Sequence, residues 1–156
     1  MKRIGENRIN DLHKELRTKM FESGLQGQMI TGMNMKQIKK FLEGLKSLVG
    51  YSSFVIMEEE RSFFPNIISV APFMIPLLEQ EHSKMAELGE KICILADDYE
   101  EAYADSERMN TIMSVIIAYH EWMAFMMQHL LKEEMIMRQV NTEETREKKP
   151  FALVAA

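Results

Sequence analysis

The stretch MMQHLLKEEM, residues 126–135, decides how this chain is read. Its surroundings are rich in Met, Ile, Trp and Phe, and its apolar residues recur at helical spacing. On the same stripe, where a helix meets its core, stand His129 and Glu133. Four residues of separation put both side chains on one face, one turn apart. An ionised carboxylate in an apolar core costs several kcal/mol unless something compensates it. A histidine and a glutamate on one buried face therefore call for a shared partner.

The remaining sequence divides into three more segments with the same three-and-four spacing. The first helix is expected over about residues 4–23 along Ile9, Leu12, Leu16 and Met20, with Gly24 and Gly27 of SGLQGQ as its stop. The second runs from Asn34 to Phe64, where Pro65 opposes continuation. Its stripe reads Ile38, Phe41, Leu45, Leu48, Ser52, Val55, Glu59, and Gly50 weakens it locally. The third begins around Pro72, a residue tolerated in a first turn. It follows Leu78, His82, Met85, Leu88, Ile92 and Leu95 into the acidic connection DDYEEAYADSE, residues 97–107. The fourth spans Glu107 to Val140 along Ile112, Val115, Tyr119, Trp122, Met126, His129, Glu133 and Ile136. Four such helices with short connections predict an all-α, antiparallel up-down-up-down bundle over residues 1–140. Residues 141–156 are left as an exposed C-terminal tail.

Composition removes several classes of function. A net charge of −5 without a clustered basic face argues against a nucleic-acid partner. No window approaches the roughly 18 consecutive apolar residues of a membrane span. The opening MKRIGENRIN has no apolar stretch behind its positive charges, so a cytoplasmic protein is expected. The single cysteine, Cys93, lies among Ile92, Ile94 and Leu95 and reads as a small buried hydrophobe. Neither an intrachain disulfide nor a thiolate metal site can be built from it. No nucleophile–base pair or phosphate loop appears, which leans away from an enzyme.

Five polar residues sit on the apolar stripes: His13, Glu59, His82, His129 and Glu133. Each has a plain reading. His13 can be an interfacial helix residue, and His82 beside Glu81 a satisfied core histidine. Glu59 belongs to the run EEE, and a charge run is usually a solvated face. HxxxE occurs by chance in many helices. Taken together, however, all four helices direct a candidate at one core. Imidazole and carboxylate are the ligands of non-haem iron, manganese and zinc, so one cation would suit all five.

The motifs also resemble a known pattern. EEERSFFPNI, residues 58–67, is similar to the end of the second helix in hemerythrin-like proteins, the HHE cation-binding family. LLEQEHSKMAEL, residues 77–88, resembles that family's third-helix segment, and QHLLKEEMIM, residues 128–137, its final HxxxE motif. The resemblance implies a four-helix bundle holding an oxo- or carboxylate-bridged di-iron centre. Transferred by position, His13 is the first-helix ligand, Glu59 the bridging carboxylate, His82 the third-helix ligand, and His129 and Glu133 the fourth-helix pair. One position departs from the pattern: the second helix normally offers HxxxE, and Val55 stands four residues before Glu59. The site then holds two irons, one with an open position, or a single iron, or has lost its metal. Tyr51 is an alternative oxygen ligand. A ferritin-like di-iron bundle needs two ExxH motifs, and only Glu79–His82 has that form.

The resemblance implies a protein that binds or senses oxygen, nitric oxide or a reactive oxygen or nitrogen species. Iron handling or iron–sulfur cluster repair is the alternative, and a metal-free interaction module the third. Zinc and manganese suit the same donors as iron. Small diatomic ligands are the expected partners. The tail EKKPFALVAA ends in Ala155 and Ala156, similar to tags recognised by unfoldase–proteases, against the plainer reading of a docked or disordered tail.

Overall fold

The computed structural model describes residues 4–147, with side chains described from residue 8 to residue 140. Its order is α1 (Ile4–Gln28), α2 (Met35–Ser62), α3 (Phe64–Ile68), α4 (Ile75–Glu101) and α5 (Asp105–Glu147), with single 3-10 turns at Ile30–Gly32 and Pro72–Met74. Among the described residues there is no strand. No described helix is long and apolar enough to cross a membrane.

The four long helices pack in a ring, α1 on α2, α2 on α4, α4 on α5, and α5 back on α1. Side-chain pairs fix their directions. His13 of α1 meets Glu59 near the end of α2, whereas Gly27 approaches Phe41 near the start of α2. Glu60 meets His82 while Lys46 meets Asp97, so α2 and α4 also run oppositely. Glu81 with Lys132 and Lys91 with Glu121 give the same sense for α4 and α5.

Asn34 starts α2 with a capping box, its side chain accepting from the Gln37 amide while the Gln37 side chain accepts from the Asn34 amide. The helix runs unbroken through Gly50. Three helix ends differ from the sequence expectation. Gly24 and Gly27 do not stop α1, which continues to Gln28. A Cβ at Gly27 would meet Ile116 at 3.3 Å and Phe41 at 3.5 Å, and one at Gly24 the Tyr119 hydroxyl at 3.7 Å. These glycines are sites of close approach, and Tyr119 donates a hydrogen bond to the Met20 carbonyl beside them. Helix α4 likewise continues through the acidic stretch to Glu101. Ala96 and Tyr99 are buried there, and Lys46 pairs with Asp97. Helix α5 starts at Asp105 and continues past Val140 to Glu147. Residues 148–156, including Ala155 and Ala156, lie outside the described residues.

Pro65 ends α2 as expected but begins a further helix. It occupies the first turn of α3, where its missing N–H has no helical acceptor to satisfy. That short helix buries Phe64 and Ile67. Together with Ile9, Phe63, Leu78, Ile136, Met137 and Val140 they form a second apolar cluster. The larger cluster holds Leu16, Leu45, Val55, Met85, Trp122, Met126 and their neighbours. Where the two clusters meet along the chain, His13 lies between Ile9 and Leu16, Glu59 between Val55 and Phe63, His82 between Leu78 and Met85, and Glu133 between Leu130 and Ile136.

Candidate metal centre

Five of the buried polar residues converge. His13, Glu59, His82, His129 and Glu133 are each 5 % exposed or less, and they come from α1, α2, α4 and α5. Ligand atoms of Glu59, His82, His129 and Glu133 all lie within 4.8 Å of one another. His13 joins them, its Nε2 lying 2.6 Å from Glu59 Oε1 and 3.4 Å from Glu133 Oε2. His82 Nε2 stands 3.2 Å from Glu59 Oε2, and His129 Nε2 3.5 Å from Glu133 Oε1. The structure thus brings together every residue singled out on the stripes. It places Val55, 1 % exposed, in the larger apolar cluster. Tyr51 is half-buried on the α1 side of α2, with Lys19 over its ring at 5.2 Å.

The run Glu58–Glu60 shows how neighbouring carboxylates acquire different roles. Successive helical positions point about 100° apart. Glu58 is buried against Arg8, 2.8 Å away. Glu59 faces the centre. Glu60 turns toward α4 and accepts a hydrogen bond from His82 Nδ1 at 2.8 Å. Glu81, beside His82 in sequence, does the same for His129 Nδ1 at 2.8 Å and is itself paired with Lys132. Sequence reasoning missed both outer carboxylates, although each is adjacent to a stripe residue. Binding the proton at Nδ1 leaves Nε2 with its lone pair directed inward, the arrangement seen around metal-ligating histidines. Phe64 stacks on the His82 ring, centroids 5.3 Å apart, and restricts its rotation from the other side. His13 Nδ1 has no such partner among the described residues.

The electrostatics are those of a site balanced by positive charge. Burial pushes His13 and His82 down, but the neighbouring Glu133 and Glu59 carboxylates outweigh it and raise them to about 9 and about 10. Burial likewise opposes charge on His129, and Glu59 and Glu133 raise it above its ordinary value. Burial pushes Glu59 up, yet the surrounding imidazoles of His129, His13 and His82 hold it well below the usual carboxylate range.

Protons alone satisfy this centre poorly. His82 Nε2 and His129 Nε2 are 3.2 Å apart, too close for a hydrogen on each nitrogen. Glu59 Oε2 and both Glu133 oxygens are buried with no hydrogen-bond partner among the described residues. Buried acceptors are nearly always satisfied, so three orphaned carboxylate oxygens facing imidazole lone pairs fit a cation. The residues present therefore suit a metal of the non-haem iron, manganese or zinc type.

A helical bundle with a buried imidazole–carboxylate cluster drawn from all its long helices defines a class of metal-binding protein. The sequence matches the family model of the hemerythrin HHE cation binding domain over residues 5–140, and the chain belongs to that family. Neither a curated protein nor a solved structure matches the chain.

Proposed function

We propose that this is a cytoplasmic non-haem iron protein that binds or senses oxygen, nitric oxide or a reactive oxygen or nitrogen species. In this reading His13, Glu59, His82, His129 and Glu133 are the metal ligands. The observation that carries it is the set of orphaned oxygens of Glu59 and Glu133 opposite three inward Nε2 atoms. Iron held by these residues would supply a redox-active centre able to bind a diatomic ligand. The chain's own residues do the rest. Glu60 and Glu81 hold two imidazoles in one tautomer, and Phe64 on α3 covers the His82 ring. Leu78, Ile136 and Met137, with Ile9 and Phe63, keep bulk water from one end of the site.

Anaerobic reconstitution with ferrous iron should load the protein, and exposure to oxygen or nitric oxide should change its visible absorption. Less than about a tenth of an iron per chain under conditions far above a typical structural-site Kd would leave the metal-free module instead.

Val55 favours a second reading, iron handling or iron–sulfur repair. An apolar side chain one turn before Glu59 offers no nitrogen on that side, which suits a loosely held metal. Loss of iron to a mild chelator within minutes, with no response to gas, would select this reading over the first.

The outer carboxylates give a separate expectation. Glu81→Gln keeps the shape and an acceptor for His129 Nδ1 but removes the charge, and metal affinity should fall about 10- to 100-fold. Glu87→Gln, on the exposed surface beside it and paired with Lys84, should change nothing. Chelator competition measures both. Equal affinities for Glu81→Gln and wild type would remove Glu81 from any part in the site.

A further inference from the structure

Helix α5 carries a second apolar stripe on the side away from the core. Met113, Ile117, His120, Ala124, Gln128, Leu131 and Met135, all exposed, follow one another at spacings of four, three, four, four, three and four residues. That is a period of about 3.67 residues, the 11-residue repeat that keeps a stripe on one face of a nearly straight helix. Met113, Ile117, Leu131 and Met135 are 45 %, 65 %, 52 % and 63 % exposed. The pair Arg17–Glu134, and Gly24 against Tyr119, place α1 along the same flank of α5. Phe21 and Leu25 of α1, 66 % and 46 % exposed, widen the face.

The seam is nearly palindromic about Ala124. Met113 and Met135 lie eleven residues on either side of it, Ile117 and Leu131 seven, His120 and Gln128 four. We propose that this face binds a second copy of the chain, with the two α5 helices antiparallel and Ala124 at the two-fold axis. The smallest side chain then sits where the backbones come closest. Met113 packs on the partner's Met135, Ile117 on the partner's Leu131, and His120 hydrogen-bonds the partner's Gln128. A self-complementary patch of this kind is what a two-fold interface requires.

The area is sufficient. The six large side chains expose on the order of 600 Å² per subunit, so full pairing removes about 1,200 Å², the lower limit of specific stable interfaces. A face of about 600 Å² stands at the upper end of the range for the largest apolar patch on a typical monomer. The inference is independent of which metal the centre holds, because the seam faces away from it.

Sedimentation equilibrium of the full chain between about 1 and 100 µM should show a monomer–dimer equilibrium. Ile117→Glu and Leu131→Glu should each weaken it at least ~100-fold, about 2.7 kcal/mol, with helix content and bound metal unchanged. In a Cys93→Ala background, Ala124→Cys should form a disulfide-linked dimer under mild oxidation. A wild type monomeric throughout would overturn the proposal, as would a dimer untouched by both Glu substitutions. A dimer that Ala124→Cys fails to cross-link would overturn the antiparallel register. A chain that dimerises only after residues 148–156 are removed would assign the face to the tail instead.

Discussion

Glu133→Ala is expected to strip the chain of most of its iron, and adding His129→Ala to change little more. Both side chains contribute to one cluster, and removing either leaves it incomplete, so their effects should not add. The loss should exceed the 10- to 100-fold typical of an outer-sphere change. Two other glutamates separate this from a general effect of acidic substitutions. Glu58 is also buried, 4 % exposed, but its partner is Arg8. Glu58→Ala should destabilise the bundle while leaving its iron content intact. Glu134 follows Glu133 directly and pairs with Arg17 at the half-buried edge, so Glu134→Ala should keep both iron and fold. The comparison needs iron per chain after anaerobic reconstitution and melting temperatures with and without metal. Wild-type iron content in Glu133→Ala would remove that residue from the ligand set.

Much of the architecture could be read before any coordinates, because a buried face leaves a periodic trace. Ile9, Leu16 and Met20, or Ile112, Val115 and Trp122, mark their helices' inner faces, and all of them are buried. What escaped lies where the same residue type has two uses. Gly24 and Gly27 have the composition of a stop signal, yet serve α5 by admitting Tyr119 and Ile116. The stretch from Asp97 to Glu101 looks solvated, but Tyr99 turns inward and extends α4. Pro65 was legible as the end of one helix and illegible as the start of the next.

The candidate site divides along the same line. His13, Glu59, His82, His129 and Glu133 stand out because a polar residue interrupts an apolar stripe, and the fold clusters the last four, with His13 against Glu59 and Glu133. Glu60 and Glu81 do not interrupt a stripe. Each sits one position, about 100°, away from a stripe residue and partly in solvent, where a glutamate needs no explanation. Only the packing of α2 on α4, and of α4 on α5, turns them toward His82 and His129. Their role depends on contacts between helices, which no single helical stripe encodes.

Raising the pH from 6.5 to 9 should destabilise the metal-free chain and leave the iron-loaded chain almost unchanged. In the metal-free protein His13 and His82 have folded pKa values of about 9 and about 10, above the ordinary 6.5 of the unfolded chain. A raised folded value means that the contribution is complete below pH 6.5 and lost as pH climbs through 9 and 10. For His13 alone the shift corresponds to on the order of 3 kcal/mol. In a domain of this size that is a fall of roughly 10 °C in Tm. Glu59 has the opposite sign. Its folded value is depressed, so its contribution persists above the ordinary carboxylate value and disappears only as pH falls toward the lowered one, outside this window. With iron bound the imidazoles are ligands in their neutral form, so there is no proton left for alkali to remove. The metal must displace those protons to enter, and its affinity should therefore rise with pH as protons are released on binding. The gap in Tm between loaded and metal-free protein should widen steadily from pH 6.5 to 9, and His13→Gln should flatten the metal-free slope. Differential scanning calorimetry in matched buffers measures both curves. Parallel curves across that range would mean that the imidazole–carboxylate pairs do not carry the metal-free fold and that the metal does not replace their protons.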